Sequence, residues 1–454
     1  MRALIAFFLL SNTATFPTLP VPSDDWQVWQ DHAPIQDQEW LPLCRVLWRL
    51  GQRSPEVLDQ ISRAAPAPTT WHEHPTEMRG QWCAFSGQVI SSKTIPLVAE
   101  AQGSFPFTEI HRLVVRPVDQ GPPAIVYCRS VSRAWKRMEA SEIPFNEPCR
   151  VVGVFLKTLT EPDRDSQPLV AAGHVSWYPR QGNVAAKVPA SWVELAQLGI
   201  DMSLWDQVRQ QKPLVAEDRE CFYQLLSAAG AAEFLTSTGP TARLDIPAVL
   251  QDPIRHQGTP YEVRGTARRV VRVEVESPEL RQRFGVDHYF EVDMFVPLDP
   301  PVRLLQQPQG SSSAEPGTGQ LFSTFPVTCC VRKWPAHLPI GDKVTQEVRV
   351  VGCFFKVWTY ASEFMSRADE SSGARGNARG GPSAGRQPSP LLIAHRADPV
   401  APQTPAYPPL GWGIGGAFVM VCGVLLWWHR REGAAKRSAR HASGHRPPAD
   451  LELD

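Results

Sequence analysis

The stretch from Cys149 to Thr160 reads CRVVGVFLKTLT, and the stretch from Val348 to Tyr360 reads VRVVGCFFKVWTY. A chain that spells R-V-V-G-x-F-x-K twice carries an internal duplication, and the flanks of the two copies fall into register with it. CAFSGQVISS, with Gly87, answers YEVRGTARRV, with Gly265; TEIHRLVVR answers DHYFEVDMFV; AIVYCRS answers FPVTCCVRKW, setting Cys128 against Cys330. After the signature, PLVAAGHV from Pro168 answers PLLIAHRA from Pro390. Five strand-like segments thus recur in one order.

Helical patterns precede each set. Leu43, Val46, Leu47 and Leu50 recur at helical spacing before the first, and Phe222, Leu225 and Leu226 before the second, behind Glu217, Asp218 and Glu220. Two Gly-, Ser- and Pro-rich stretches interrupt the second copy alone. Too poor in apolar residues to bury a core, they are expected to be disordered insertions in hairpin loops.

Five short strands with room for a turn of helix between the third and fourth resemble an OB-fold barrel, over most of each copy. The expected fold class is mixed α and β: two repeated units of helices plus a five-stranded OB-like barrel, then one transmembrane helix. The expected divisions are an N-terminal hydrophobic segment or signal peptide at 1–22, helices at 24–64, a first barrel at 78–179, helices at 190–245 and a second barrel at 259–398. The insertions fall near 305–322 and 366–388, a Pro-rich stalk at 399–409, the span at 410–428 and a cytoplasmic tail at 429–454.

Side chains alternate along a strand, so Val350, Gly352, Phe354 and Lys356 are expected on one face and Val351, Cys353 and Phe355 on the other. Both faces are apolar, as when one fills a barrel and the other lies under helices. Gly153 and Gly352 are read as points of bending or close backbone approach. Lys157 and Lys356 are read as solvated strand ends.

Leu410 to Trp428 runs without a charged side chain, long enough to cross a bilayer, with Trp412, Trp427 and Trp428 at its ends and Arg430, Arg431, Lys436, Arg437 and Arg440 just beyond. The basic flank predicts a cytoplasmic C-terminus. The N-terminal MRALIAFFLL resembles a short secretory signal, which would place the body outside the cytoplasm. Repeated OB-like modules on one span resemble membrane-anchored bacterial proteins, a resemblance that implies no particular activity.

Lys plus Arg and Asp plus Glu both number 46, so no global field recruits nucleic acid. On an OB surface, stacking aromatics and cations would bind an extended ligand. The candidates are Arg129, Arg133, Trp135, Lys136, Arg137, Arg332, Lys333 and Trp334. His72, Glu73 and His74 lack the spacing of a metal helix, and His174 and His395 are read as surface residues; neither metal nor cofactor is expected. The cysteines outside the span form no C-x-x-C pair and are read as buried free thiols.

No recurrent Asp, Glu, His or Ser is apparent at matched positions, which disfavours catalysis. The expected function is an extracytoplasmic, non-enzymatic binding or scaffold protein whose partners are the bilayer, through 410–428, and a protein, peptide or glycan. The alternatives are an extracytoplasmic enzyme with loop-borne catalytic residues and a single-stranded nucleic-acid binder, the latter disfavoured by the balanced charge.

Overall fold

The computed structural model describes residues 19, 21–66, 71, 74–119, 121–160, 165–231, 234, 241–304, 320–361 and 386–400. Among them no helix is long and apolar enough to cross a membrane. The expected span at 410–428, its stalk and tail, and nearly all of the N-terminal segment lie outside the described residues, as do His72 and Glu73.

Helices α1 (Ser23–Gln27), α2 (Asp37–Leu50), α3 (Pro55–Ala64) and α4 (Pro75–Met78) open the chain. A carboxylate sets the start of α2: Glu39, in its third position, accepts the Gln36 backbone N–H at 2.8 Å and answers one of the amides that a helix start leaves free. Leu43, Val46, Leu47 and Leu50 form its buried stripe.

The first barrel comprises β1 (Trp82–Pro96), β2 (Glu109–Pro117), β3 (Ala124–Cys128), helix α5 (Arg133–Ala140), β4 (Glu147–Leu159) and β5 (Gln167–Trp177). Next come α6 (Ala190–Gln197), a 3-10 turn at Met202–Gln207, α7 (Arg219–Ala228), α8 (Ile246–Gln251) and α9 (Pro253–His256). The second barrel holds β6 (Pro260–Glu274), α10 (Pro278–Phe284), β7 (His288–Leu304), β8 (Gln320–Lys333), β9 (Gln346–Ala361) and β10 (Arg386–Pro399).

Both sheets close, and both follow the order first, second, third, fifth, fourth strand. In each, the third and fifth strands run parallel and the first closes on the fourth, Gly87 opposite Cys149 and Gly265 opposite Val348. The two are OB-like barrels of one topology. They differ between the third and fourth strands, where the first has α5 and the second, among the described residues, a loop through Trp334. The described flanks of the two expected insertions are antiparallel neighbours, β7 with β8 and β9 with β10.

Strand register corrects one pairing drawn from sequence. Gly153 faces Ala172 and Gly352 faces Ala394; Cys128 pairs with Ala172, and Val331 with Ala394. Cys128 therefore corresponds to Val331 rather than Cys330, and Arg129 to Arg332. Aligning like residues had shifted the third strand by one position.

The glycines of the repeat mark close backbone approach, as expected. A Cβ on Gly87 would lie 2.6 Å from the Arg116 carbonyl oxygen, and one on Gly352 2.9 Å from that of Ile393. Gly153 and Gly265 would collide likewise with the carbonyls of Ala171 and Phe295.

Strand faces follow the alternation only as far as the signature phenylalanine. Val350 and Phe354 point into the second barrel, Cys353 and Phe355 into the helices outside it. Then a β-bulge intervenes: Phe354 pairs with Leu392 but Lys356 with the preceding Leu391, leaving Phe355 unpaired, and in the first copy Leu156 is skipped in the same way. Each bulge turns the signature lysine away from the phenylalanine face and into the helical layer.

Three cores result. One fills the second barrel, and another joins the exterior of the first barrel to α2 and α3. The third runs from the interior of the first barrel into α6 and α7 and onto the outer face of the second barrel.

Candidate functional site

The signature lysines are fully buried, not solvated strand ends. Lys157 and Lys356 have no solvent exposure. Lys157 Nζ donates to both carboxylate oxygens of Glu39, at 2.7 and 3.0 Å, and to the Pro34 carbonyl at 3.1 Å. Lys356 Nζ donates to Asp218 Oδ2 at 2.6 Å and to the Pro213 carbonyl at 3.2 Å. Burial pushes the Lys356 pKa down, and the facing Asp218 carboxylate opposes that.

The surroundings repeat as well. Glu39 accepts the backbone N–H groups of Gln30 and Gln36, each at 2.8 Å; Asp218 accepts those of Arg209, at 2.7 Å, and Val215, at 3.1 Å. The His32 N–H donates to the Thr158 carbonyl and the Gln211 N–H to that of Val357, both at 2.8 Å. Each helical layer is thus latched to its own barrel by the same lysine, acid and proline. Matched acids do recur, contrary to expectation, but they are capped, neutralised and closed to solvent. Proline five residues ahead of an acid at a helix start, twice, together with a lysine closing the apolar run V-V-G-x-F-x in each copy, was the signal available in the sequence.

The eight candidate binding residues do not converge. Trp135 is 1% exposed in the core of the first barrel, edge-on to Trp177 at 6.0 Å, and Trp334 is 8% exposed in the core of the second. Neither presents a stacking face, because capping a barrel buries the ring. Arg133 is exposed, its backbone N–H donating to Asp206 at 2.7 Å and its guanidinium 3.6 Å from the same carboxylate. Lys136 donates to Glu109 at 2.6 Å, and Arg137 to the Ala186 carbonyl at 2.8 Å. Lys333 is exposed.

Arg129 and Arg332, equivalent by register, are half-buried, and burial lowers the pKa of both. The Arg129 guanidinium fills the space a side chain on Gly51 would occupy, at the end of α2, and lies 5.9 Å from the Phe107 ring centroid. Arg332 donates to the Gly285 carbonyl at 3.3 Å and lies near Gly230, just past α7. These arginines sit where the carbonyl end of a helix favours a cation. In each copy a buried signature lysine thus meets the acid at the start of the covering helix, and a half-buried arginine lies at the end of that helix.

The two histidines near the fifth strands are partly buried and partnered. His174 Nε2 is 2.6 Å from Asp201 Oδ2, and His395 Nδ1 is 2.7 Å from the Ala229 carbonyl. The eight described cysteines are buried free thiols, as expected. Among the described residues no group of three or more His, Cys, Asp or Glu side chains is placed to hold a metal ion.

The units are joined by an aromatic chain. Trp135, Trp177, Trp192, Trp205, Phe355 and Phe222 follow one another with centroids 6.0, 6.0, 6.3, 5.8 and 5.7 Å apart. Trp192 also donates its indole N–H to the Gln257 carbonyl at 2.8 Å, and its ring crowds Gly258, whose φ of 76° suits glycine. Beside this chain, Arg283 on α10 binds Glu220 of α7 at 2.6 Å and Asp59 of α3 at 3.3 Å, with Glu56 at 3.6 Å.

No family model and no curated protein matches the chain. Among solved structures it is similar to an OBody bound to hen egg-white lysozyme, at 12% identity and a TM-score of 0.15, over 23% of this chain and 86% of that one. It is also similar to the wild-type single-stranded DNA binding protein from Thermus aquaticus, at 7% identity and 0.16, over 72% and 96%. A third is aspartyl tRNA synthetase from Entamoeba histolytica, at 10% identity and 0.16, over 63% and 56%. At such scores these likenesses carry no argument; the OB-like description rests on strand order.

Proposed function

We propose that the chain is a non-enzymatic binding or scaffold protein, its tandem barrels forming one rigid platform carried on a single membrane span at 410–428, with the body outside the cytoplasm. The supporting observation is the buried tryptophan chain that continues the core of one barrel into the covering layer of the other. Such a junction suits a body that presents fixed surfaces to a protein, peptide or glycan. The cations that would serve single-stranded nucleic acid are mostly engaged within the chain, which weighs against that alternative.

Affinity isolation of the tagged full chain from membranes, with parallel titration of a fluorescent single-stranded oligonucleotide, tests this reading. A stoichiometric protein or glycan ligand without salt-sensitive oligonucleotide binding is the expected result. Oligonucleotide binding that weakens steeply with salt would replace it with the nucleic-acid reading.

A further inference from the structure

His174 lies on β5 where the first barrel meets the segment leading into the second unit. Its partner Asp201 is a shared anchor: Oδ1 accepts the Trp177 N–H at 2.8 Å and both the N–H and the hydroxyl of Ser203, at 2.9 and 2.7 Å. The Asp201 N–H donates to Gln224 of α7 at 3.0 Å. One carboxylate thus gathers β5, the 3-10 turn at Met202–Gln207 and α7. The Asp201 side chain is 3% exposed, whereas that of His174 is 29% exposed, so the ring can exchange its proton with solvent. In the second copy the register places Arg396 at the position of His174, exposed and 2.9 Å from Asp398 on its own strand, so the arrangement is not repeated.

We propose that His174 and Asp201 form a pH-sensitive latch at the junction of the two units, tight when His174 is protonated and looser when its ring is neutral. The ionisable groups around it are Asp201 before the 3-10 turn, Glu220 and Cys221 on α7, and Tyr178 just past β5; α2 presents Leu50 beside the neighbouring Gly173. Burial pushes the Tyr178 phenol up to about 12 and the Cys221 thiol well up, so neither changes charge near neutrality. For His174, burial acts to lower the pKa, but the charge and hydrogen bond of Asp201, with Glu220 behind, outweigh it and hold the ring above its ordinary 6.5. For Asp201, burial acts to raise the pKa, but His174 and the Trp177 and Ser203 donors hold it below 3.8.

The signs then set the window. A raised histidine contributes its stability in full below 6.5 and loses it as pH climbs through the folded value; a lowered aspartate contributes above 3.8 and loses it only on strong acidification. The latch is therefore strongest in mild acid and weakens through neutrality into base.

Hydrogen exchange of the full chain between pH 6 and 9, corrected for intrinsic exchange rates, reads this directly. Peptides spanning 172–178 and 198–208 should lose protection severalfold toward pH 9, while those from β6 and β7 hold theirs. His174→Gln, which keeps a hydrogen-bond donor without a titration, should remove the pH dependence and fix the junction at its alkaline level. Protection independent of pH in the native chain, or a dependence that survives in His174→Gln, would overturn the proposal. If the variant does not fold, the NMR titration of the native His174 ring decides: a midpoint above 6.5 supports the latch, and one at or below it refutes it.

Discussion

Lys157 and Lys356 show how one residue type changes meaning with one extra residue of strand. Strict alternation places them with Phe155 and Phe354, and a long cation at a strand end ordinarily reaches water. The bulge reverses the face, and the acid waiting there makes full burial tolerable. Removing one member of a buried pair leaves the other charge without its partner, so Lys157→Met and Lys356→Met should each lower unfolding stability by about 3–5 kcal/mol, as measured by denaturant titration. Replacing Asp218 together with Lys356 should not restore the loss, because Asp218 also caps two backbone amides. The buried thiols make a second expectation at this scale: burial pushes Cys44 up to about 11 and Cys128 and Cys149 up to about 12, so none of the three should react with a thiol reagent at neutral pH until the chain unfolds.

The elements were legible from sequence wherever the pattern was local. Five strands in repeated order, the buried stripe of α2 and the close-packed signature glycines all follow from periodicity and residue size. Register was less legible, since a slip of one residue in the third strand keeps every residue type plausible, and only the pairing of Cys128 and Val331 with Ala172 and Ala394 resolves it. The candidate site failed for a related reason. Trp135 beside three cations looks the same in sequence whether it stacks a ligand or caps a barrel, and the acids that engage the cations are distant in the chain. At Gly153 the facing Ala171 carbonyl leaves no room for a methyl group. Gly153→Ala should cost about 1–3 kcal/mol through overpacking, and Gly352→Ala should act in the same direction, both checked by thermal unfolding.

Across the whole molecule, the two copies have diverged in role while keeping one construction plan. The first barrel shares its interior core with the covering layer of the second, so one core continues across the boundary between the units, whose own cores end elsewhere. Trp192 is the central link of that continuity, and Trp192→Ala should cost about 3–5 kcal/mol and split a single cooperative unfolding transition into two. Rigid union of the barrels is also the premise of the proposed platform. Spin labels at Ala140→Cys on α5 and Lys343→Cys between β8 and β9, both exposed positions, can be placed selectively because the eight described native thiols are buried, with Cys422 replaced by serine. Pulsed dipolar spectroscopy should then give one narrow distance distribution between the barrels; a broad or multimodal distribution in the native chain would contradict the rigid platform.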